Sequence, residues 1–419
     1  MQQVKAVLLG AGNRGMDCYA PYALSHPDEL KFVAVADPDE MRRGEFRRLY
    51  DLPEEMSFRD WREVFTKEKL ADAALICTQD RMHYEPAVKA LEAGYHVLLE
   101  KPMAPTPHEC VAMGVYAHKY QRVFAICYVL RHTGFFSAIK ELLIQGTIGK
   151  LVSIQHNENV GFWHYSHSYV RGNWRNSATS APMILSKSCH DMDLMLWLAG
   201  ADCLSLSSYG GLMHFKSENA PPGAPSRCPD GCPVEDRCAF FAPRLYDKPE
   251  MEVCASVVRK DAGGCSVREA LARGPYGRCV YHCDNNVVDH QVVSLEFANG
   301  VTAVFTMCGL TYDCSRTIKL MGTEGEIRGN MEKNELEITS FADWRRETTR
   351  PKEPSSGHGG GDYGILRDFV RLVRDNRIDE SLALADVSVQ SHVMAFAAER
   401  SRLEEREIKI KDFMKNLSI

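Results

Sequence analysis

The chain is expected to fold as an α/β protein in two domains: a doubly wound parallel sheet over residues 1–130, then an α+β domain with a large, mostly antiparallel sheet over residues 131–419. Three observations predict this. At 419 residues the chain exceeds what one core usually holds, with ~150 residues per domain as the guide. The first 130 residues alternate short, strongly apolar segments with longer mixed ones, as parallel strands buried on both faces by helices do. Beyond Arg131 the apolar segments alternate or are joined by hairpin signals.

In the first domain the expected strands are 4–10, 31–37, 71–78, 95–100 and 122–130. Between the third and fourth lies a helix over 82–93, which stops where Gly94 can take the left-handed cap. The second domain begins with a helix over 136–145 and a strand over 151–159, followed by a helix over 182–198. Strands 288–297 and 301–308 flank Asn299-Gly300, a hairpin pair, and are followed by 316–321 and 325–328. Residues 211–284, rich in Pro, Gly and Cys, read as an insertion. Residues 351–361 read as a loop, and two helices close the chain.

A net charge of -6 leaves no basic footprint for nucleic acid. No apolar run approaches the ~20 residues that cross a bilayer, and no export signal precedes the first strand, so a cytoplasmic protein without membrane or nucleic-acid partners is expected. Fifteen cysteines in such a chain read as reduced thiols or metal ligands rather than disulfides.

Gly10-Ala11-Gly12-Asn13-Arg14-Gly15 follows the first strand and opens a helix, the context in which G-x-G-x-x-G binds a dinucleotide on a Rossmann domain. The second strand ends in Asp37, placed to accept the adenosine ribose hydroxyls and to repel a 2'-phosphate, so NAD is expected over NADP. Arg42 and Arg43 lie close enough to receive that phosphate, but read as solvated helix charges. Thr78, ending the third strand, and His83, opening the next helix, complete the expected cofactor set together with Glu100 and Lys101 of Glu100-Lys101-Pro102 at the end of the fourth strand.

With these motifs the chain resembles the glucose-fructose oxidoreductase, inositol dehydrogenase and MocA family over most of its length. The resemblance implies that Lys101 sits beside the nicotinamide and the reacting hydroxyl. There an ammonium stabilises the alkoxide-like charge that develops as hydride leaves. It also implies that Ser186-Lys187-Ser188-Cys189-His190-Asp191 opens a helix whose His190 is the general acid or base. On one helix Ser186, Lys187 and His190 would share a face. The family commonly carries Asp four residues before this histidine. Ser186 stands there instead, which makes Lys187 a candidate second cation or base.

The run from Gly161 to Arg175 mixes aromatic rings, histidines and arginines as a sugar pocket does, and Trp163, His164 and Arg175 are its candidate substrate contacts, with Lys187 and His190. In Gly357-His358-Gly359-Gly360-Gly361-Asp362 the backbone can approach a ligand, with Asp362 capping the next helix. Cys228, Cys232 and Cys238, with Cys279 or Cys283 as a fourth donor, would suit a structural zinc, although no C-x-x-C pair occurs among them.

The expected activity is NAD(H)-dependent hydride transfer at a secondary hydroxyl of a sugar, glycoside or cyclitol. Two alternatives keep the same cofactor: glycoside cleavage by transient oxidation and elimination, and NAD binding without turnover. Retention of Lys101 and His190 speaks against the last. By analogy with such relatives, a homo-oligomer joined through exposed sheet faces of the second domain is expected.

Overall fold

A computed structural model describes residues 3–352, 356–415 and 417. β1 (Val4–Leu9), β2 (Leu30–Ala36), β3 (Ser57–Phe58), β4 (Ala73–Ile76), β5 (His96–Leu99) and β6 (Phe124–Ile126) form one sheet in the order β3-β2-β1-β4-β5-β6. All its pairings are parallel. The strand order reverses beside β1, and its carboxyl end is therefore the switch point where open α/β sheets bind ligands. The segment expected as a strand over 122–130 is extended only at Phe124–Ile126, then tightens into a turn over Val129–His132.

The second sheet comprises β7 (Leu151–Asn159), β8 (Cys203–Gly211), β9 (His290–Phe297), β10 (Thr302–Cys308), β11 (Ser315–Gly322), β12 (Gly325–Asn330), β13 (Glu335–Ser340), β14 (Arg346–Thr349) and β15 (Ile408–Lys409). Their order is β14-β13-β12-β11-β7-β10-β9-β8-β15, antiparallel except for β7 beside β10. β8, β13, β14 and β15 are additions to the expected strands. β8 and β9 are neighbours, so the insertion is an excursion between two paired strands. It carries its own apolar cluster, including Leu245, Met251, Val258 and Leu271, against which Phe162 and Trp163 pack.

Alternation along β7 buries Ile154, His156 and Glu158 and leaves Ser153, Gln155 and Asn157 more exposed. The covered face meets the helix Cys189–Ala199, nearly all of whose residues are buried. That helix is the second half of the one expected over 182–198. The first half is a single turn, Met183–Ser186, and the helix breaks at Lys187 and Ser188. The break leaves the Ser186 carbonyl to a tertiary partner, Lys101 Nζ at 3.2 Å.

Two C-terminal helices tie the sheets together. Gly361–Arg374 packs Ile365, Leu366 and Phe369 against Leu8, Val35 and Leu75 of the first sheet. Ile378–Glu404 lies against helix Pro107–Tyr120, helix Cys189–Ala199 and β8. The cap of the first of these helices is Gly360, not Asp362, which stands in its first turn with its carboxylate committed elsewhere. Part of the loop expected over 351–361, residues 353–355, lies outside the described residues.

Candidate active site

The glycine loop shows three distinct uses of glycine. Gly10 has φ +95° and an added Cβ would lie 2.5 Å from the Cys77 carbonyl oxygen, so this turn excludes any other residue. At Gly15 the Cβ would meet the Gly10 carbonyl at 2.2 Å, which is a packing constraint. At Gly12 the nearest protein atom would be Arg42 Nη1, 4.0 Å away. The protein leaves this space open above the start of the wide helical turn Asn13–Tyr19, and it suits a pyrophosphate. Asp37 is buried, and its two oxygens accept the Ala11 N–H at 2.8 Å and the Asp39 N–H at 2.9 Å. A carboxylate has lone pairs beyond those two, so Asp37 both pins the loop and can accept ribose hydroxyls. Arg43 donates to the Asp37 carbonyl at 2.7 Å and is not simply a solvated charge.

Other members of the expected cofactor set act as struts. Asn13 donates to Asp17 at 3.0 Å. Arg14 pairs with Glu100 at 2.6 Å and with Asp362 at 2.7 Å, and bonds the Tyr19 hydroxyl. Glu100 also accepts the Tyr19 hydroxyl at 2.7 Å and the Lys101 N–H at 2.7 Å. Burial would raise the Glu100 carboxyl, but Arg14 and Lys101 outweigh it and hold the group below the usual range. His83 stands between the Pro102 carbonyl (Nδ1, 2.7 Å) and the Thr78 carbonyl (Nε2, 3.0 Å), bracing the segments that follow β4 and β5.

Facing this edge is a charged network that the second sheet assembles. Register places Arg316 of β11 directly beside Glu158 of β7. The Arg316 guanidinium bridges Glu158 at 2.5 Å and Asp191 at 2.8 Å; Asp191 also bonds His156 Nε2 at 2.8 Å. Burial opposes ionisation of Asp191, yet Arg316 and His156 bring its carboxyl down to about 2. Lys187, placed by the helix break, pairs with Glu158 at 3.3 Å. Beside this network stands His190, whose imidazole lies well below its ordinary range, first because it is buried and then because Lys101, Arg316, His358 and Lys187 surround it with positive charge. Its Nδ1 and the Ser186 Oγ are both buried without a hydrogen-bond partner among the described residues. No carboxylate among the described residues orients this histidine through Nδ1, as the Ser186 substitution implies.

The structure thus brings together Lys101, His190, Lys187 and His164. His164 is likewise held neutral by burial and by Lys187, with Cys314 Sγ 3.5 Å from its Nδ1. Trp163 instead leans on the insertion's apolar cluster. Arg175 binds Asp284 at 2.7 Å and the Gly172 carbonyl at 3.1 Å, where it fastens the insertion. Glu158, Arg316, Asp191 and His156 were not among the expected site residues. The usable signal was the period-two alternation that puts two polar residues, His156 and Glu158, on the covered face of β7.

The zinc expectation finds no support in the structure. Among the described residues no group of three or more His, Cys, Asp or Glu is arranged to hold a metal ion. Cys228 and Cys254 belong to the insertion's apolar cluster, and Cys283 donates to the Cys279 carbonyl at 3.3 Å. Burial pushes the Cys238 thiol up and the Cys279 thiol up to about 11. The fully buried Arg171 guanidinium lies 3.7 Å from Cys228 Sγ and places a cation beside that thiol.

A parallel sheet with a glycine turn, a buried carboxylate closing the second strand, and a lysine and histidine at its carboxyl edge are the features of a dinucleotide-dependent oxidoreductase. Family profiles give the particular group: residues 4–128 match the oxidoreductase family's NAD-binding Rossmann fold and residues 140–410 its C-terminal alpha/beta domain. The chain belongs to the Gfo/Idh/MocA oxidoreductase family. It is 25% identical to levoglucosan dehydrogenase of Pseudarthrobacter phenanthrenivorans, over 82% of this chain and 80% of that protein. It is 23% identical to 2,7-anhydro-N-acetylneuraminate hydratase of Mediterraneibacter gnavus, over 52% of this chain and 55% of that one. Among solved structures, levoglucosan dehydrogenase with NADH and L-sorbose shares the fold at a TM-score of 0.70 and 18% identity, covering 98% of this chain and 99% of that one.

Proposed function

We propose that the protein is an NAD(H)-dependent dehydrogenase acting on a secondary hydroxyl of a sugar, glycoside or cyclitol. The observation that carries this reading is the meeting of Lys101, from the end of β5, with His190, held neutral within a ring of cations. Bound NAD supplies the hydride acceptor. The neutral His190 accepts the hydroxyl proton, and Nδ1 is sealed, which leaves Nε2 as the working edge. Lys101 Nζ stabilises the charge developing on the same oxygen. Lys187, paired with Glu158 at 3.3 Å, acts as a fixed cation and hydroxyl donor. His164 offers a neutral ring to the sugar.

Asp37 favours NAD over NADP. No helix among the described residues is long and apolar enough to cross a membrane; we take the protein to be cytoplasmic and to associate with itself through the open face of the nine-stranded sheet. The test is a panel of sugars, glycosides and cyclitols with the purified protein, followed at the nicotinamide absorbance and by product chromatography. A substrate-dependent rise of NADH supports the reading. The hydratase relative favours one second reading, in which oxidation is transient and elimination follows: no net NADH accumulates, solvent deuterium enters beside the oxidised carbon, and a leaving group is released.

A further inference from the structure

Lys101 lies just beyond β5 and His190 on the helix Cys189–Ala199, so two groups that serve one substrate oxygen come from separate elements that must keep one spacing. The lysine side is fixed through a single peptide. The unit joining Pro102 to Met103, directly after Lys101, is bound at both of its polar atoms: its carbonyl accepts from His83 Nδ1 at 2.7 Å, and its N–H donates to His392 Nε2 at 2.9 Å. A planar peptide held at both ends cannot rotate without breaking one of these bonds, so the backbone that carries Lys101 is oriented from two directions.

His392 belongs to the helix Ile378–Glu404, 289 positions from Met103, and is fully buried. The Met103 amide can only donate, so Nε2 is the lone-pair nitrogen and Nδ1 carries the hydrogen. That hydrogen meets two acceptors, the Ser388 carbonyl and the Tyr128 hydroxyl oxygen, each 2.8 Å from Nδ1. Tyr128 Oη in turn lies 3.0 Å from Ser391 Oγ, which donates to the Ser388 carbonyl at 2.9 Å. The network closes only around a neutral imidazole, because a hydrogen on Nε2 would face the Met103 N–H.

Tyr128 carries the constraint to the histidine side. Its ring and that of His190 meet edge to face, with centroids 5.8 Å apart. Arg131, one turn further on, binds Asp193 through Nε at 2.6 Å and lies over the Tyr128 ring at 5.9 Å. The helix bearing His190 is therefore gripped at residues 190 and 193 by the segment that His392 holds.

We propose that His392 is the positioning residue that sets the spacing of Lys101 and His190, with one ring nitrogen on the peptide after Lys101 and the other on the tyrosine that packs against His190. The proposal rests on the dehydrogenase reading above. His392 acts through those two contacts and takes up no proton in the reaction.

The experiment compares wild type with His392→Leu, His392→Gln and His392→Asn on a substrate found in the panel and on the same substrate deuterated at the oxidised carbon, with NADH fluorescence titration and melting temperature for each. Leucine makes neither bond. Glutamine can return an acceptor to the Met103 N–H, whereas asparagine, one methylene shorter, serves only the side toward Ser388 and Tyr128. His392→Leu should lose about 10²-fold in kcat, the effect of a misplacement of about 1 Å, with KM and NADH affinity near wild type and a larger deuterium isotope effect on kcat. His392→Gln should recover most of that loss and His392→Asn should not. An unchanged kcat in His392→Leu, equal kcat in the Gln and Asn variants, or a fall in kcat matched by an equal loss of NADH affinity overturns the proposal and leaves the dehydrogenase reading standing. Should the His392 variants fail to fold, Tyr128→Phe decides: it keeps the ring against His190 and removes only the hydroxyl bond to His392, so kcat should fall with KM unchanged, and a wild-type kcat overturns the proposal. A wild type that oxidises nothing in the panel overturns the dehydrogenase reading and the positioning role with it.

Discussion

The two sides of the candidate active site are built on opposite principles. The cofactor end is made of backbone: a turn that only glycine can make, an open space above Gly12, and Asp37 bonding the loop from 26 residues away. The substrate end is made of side chains from four separated places, Lys101, Glu158, Lys187–Asp191 and Arg316, held by ion pairs across sheet register and a broken helix. The first should tolerate loss of charge and not loss of glycine; the second should show the reverse.

The sharpest way to break that contrast is His190→Ala. It should lower kcat by about 10² to 10⁴, and Lys101→Ala by about 10² to 10³, while NADH affinity stays at the wild-type value in both. Surviving activity in either variant would place the chemistry elsewhere.

Acid sensitivity should also divide along this line. Burial brings His132, His167 and His392 down to about 4 and holds His164 and His190 well below their ordinary range; in the first domain His96, lowered to about 4, is the counterpart among the described residues. A histidine kept neutral by the fold takes up a proton sooner when unfolded. Its stabilising contribution is therefore complete above the unfolded value near 6.5 and is lost as pH falls toward 4, by about 1.4 kcal/mol per group per pH unit. Denaturant midpoints measured from pH 7.5 to 5 should fall steeply, and His167→Gln should flatten the slope more than an exposed His118→Gln does. A midpoint independent of pH would contradict the burial of these rings.

Gly12→Ala tests the cofactor end. The added methyl meets no protein atom closer than 4.0 Å, so melting temperature should hold, whereas NADH affinity should fall at least about tenfold, or 1.4 kcal/mol. Gly10→Ala, against the Cys77 carbonyl, should instead lose the fold of the loop. Equal effects of the two variants would mean that the space above Gly12 is not the pyrophosphate site.

The smallest effect belongs to Arg175→Ala. Its pair with Asp284 is partly exposed, so stability should change by no more than about 1 kcal/mol, and KM should stay within error of wild type. A large rise in KM would return Arg175 to the substrate.

How much of this was legible before folding follows from the range of the interactions. Residues 10–15, Asp37 and Glu100-Lys101-Pro102 carry their meaning in a strand, a turn and a few neighbours, and period-two alternation placed β7 and the β9–β10 hairpin. The helix over 182–198 read as continuous because nothing local breaks it: its interruption is stabilised by Lys101, 85 residues away. Asp362 looked like a cap because caps are local, yet its partner is Arg14, 348 residues away. The cysteines looked like ligands by spacing alone, and only packing showed a buried guanidinium beside Cys228.

By itself, then, the sequence determined the α/β class, the parallel sheet with its dinucleotide turn, and the carboxylate, lysine and histidine on which the proposed function rests, because each is specified by residue type within one or two elements. The tertiary structure alone decided that Arg316 joins Glu158 to Asp191, that Lys187 faces a carboxylate, that a C-terminal helix returns to the first sheet, and that Asp362 pairs with Arg14. Those facts depend on strand register and on contacts between separate elements of the chain, whose free energy appears only when the chain has closed.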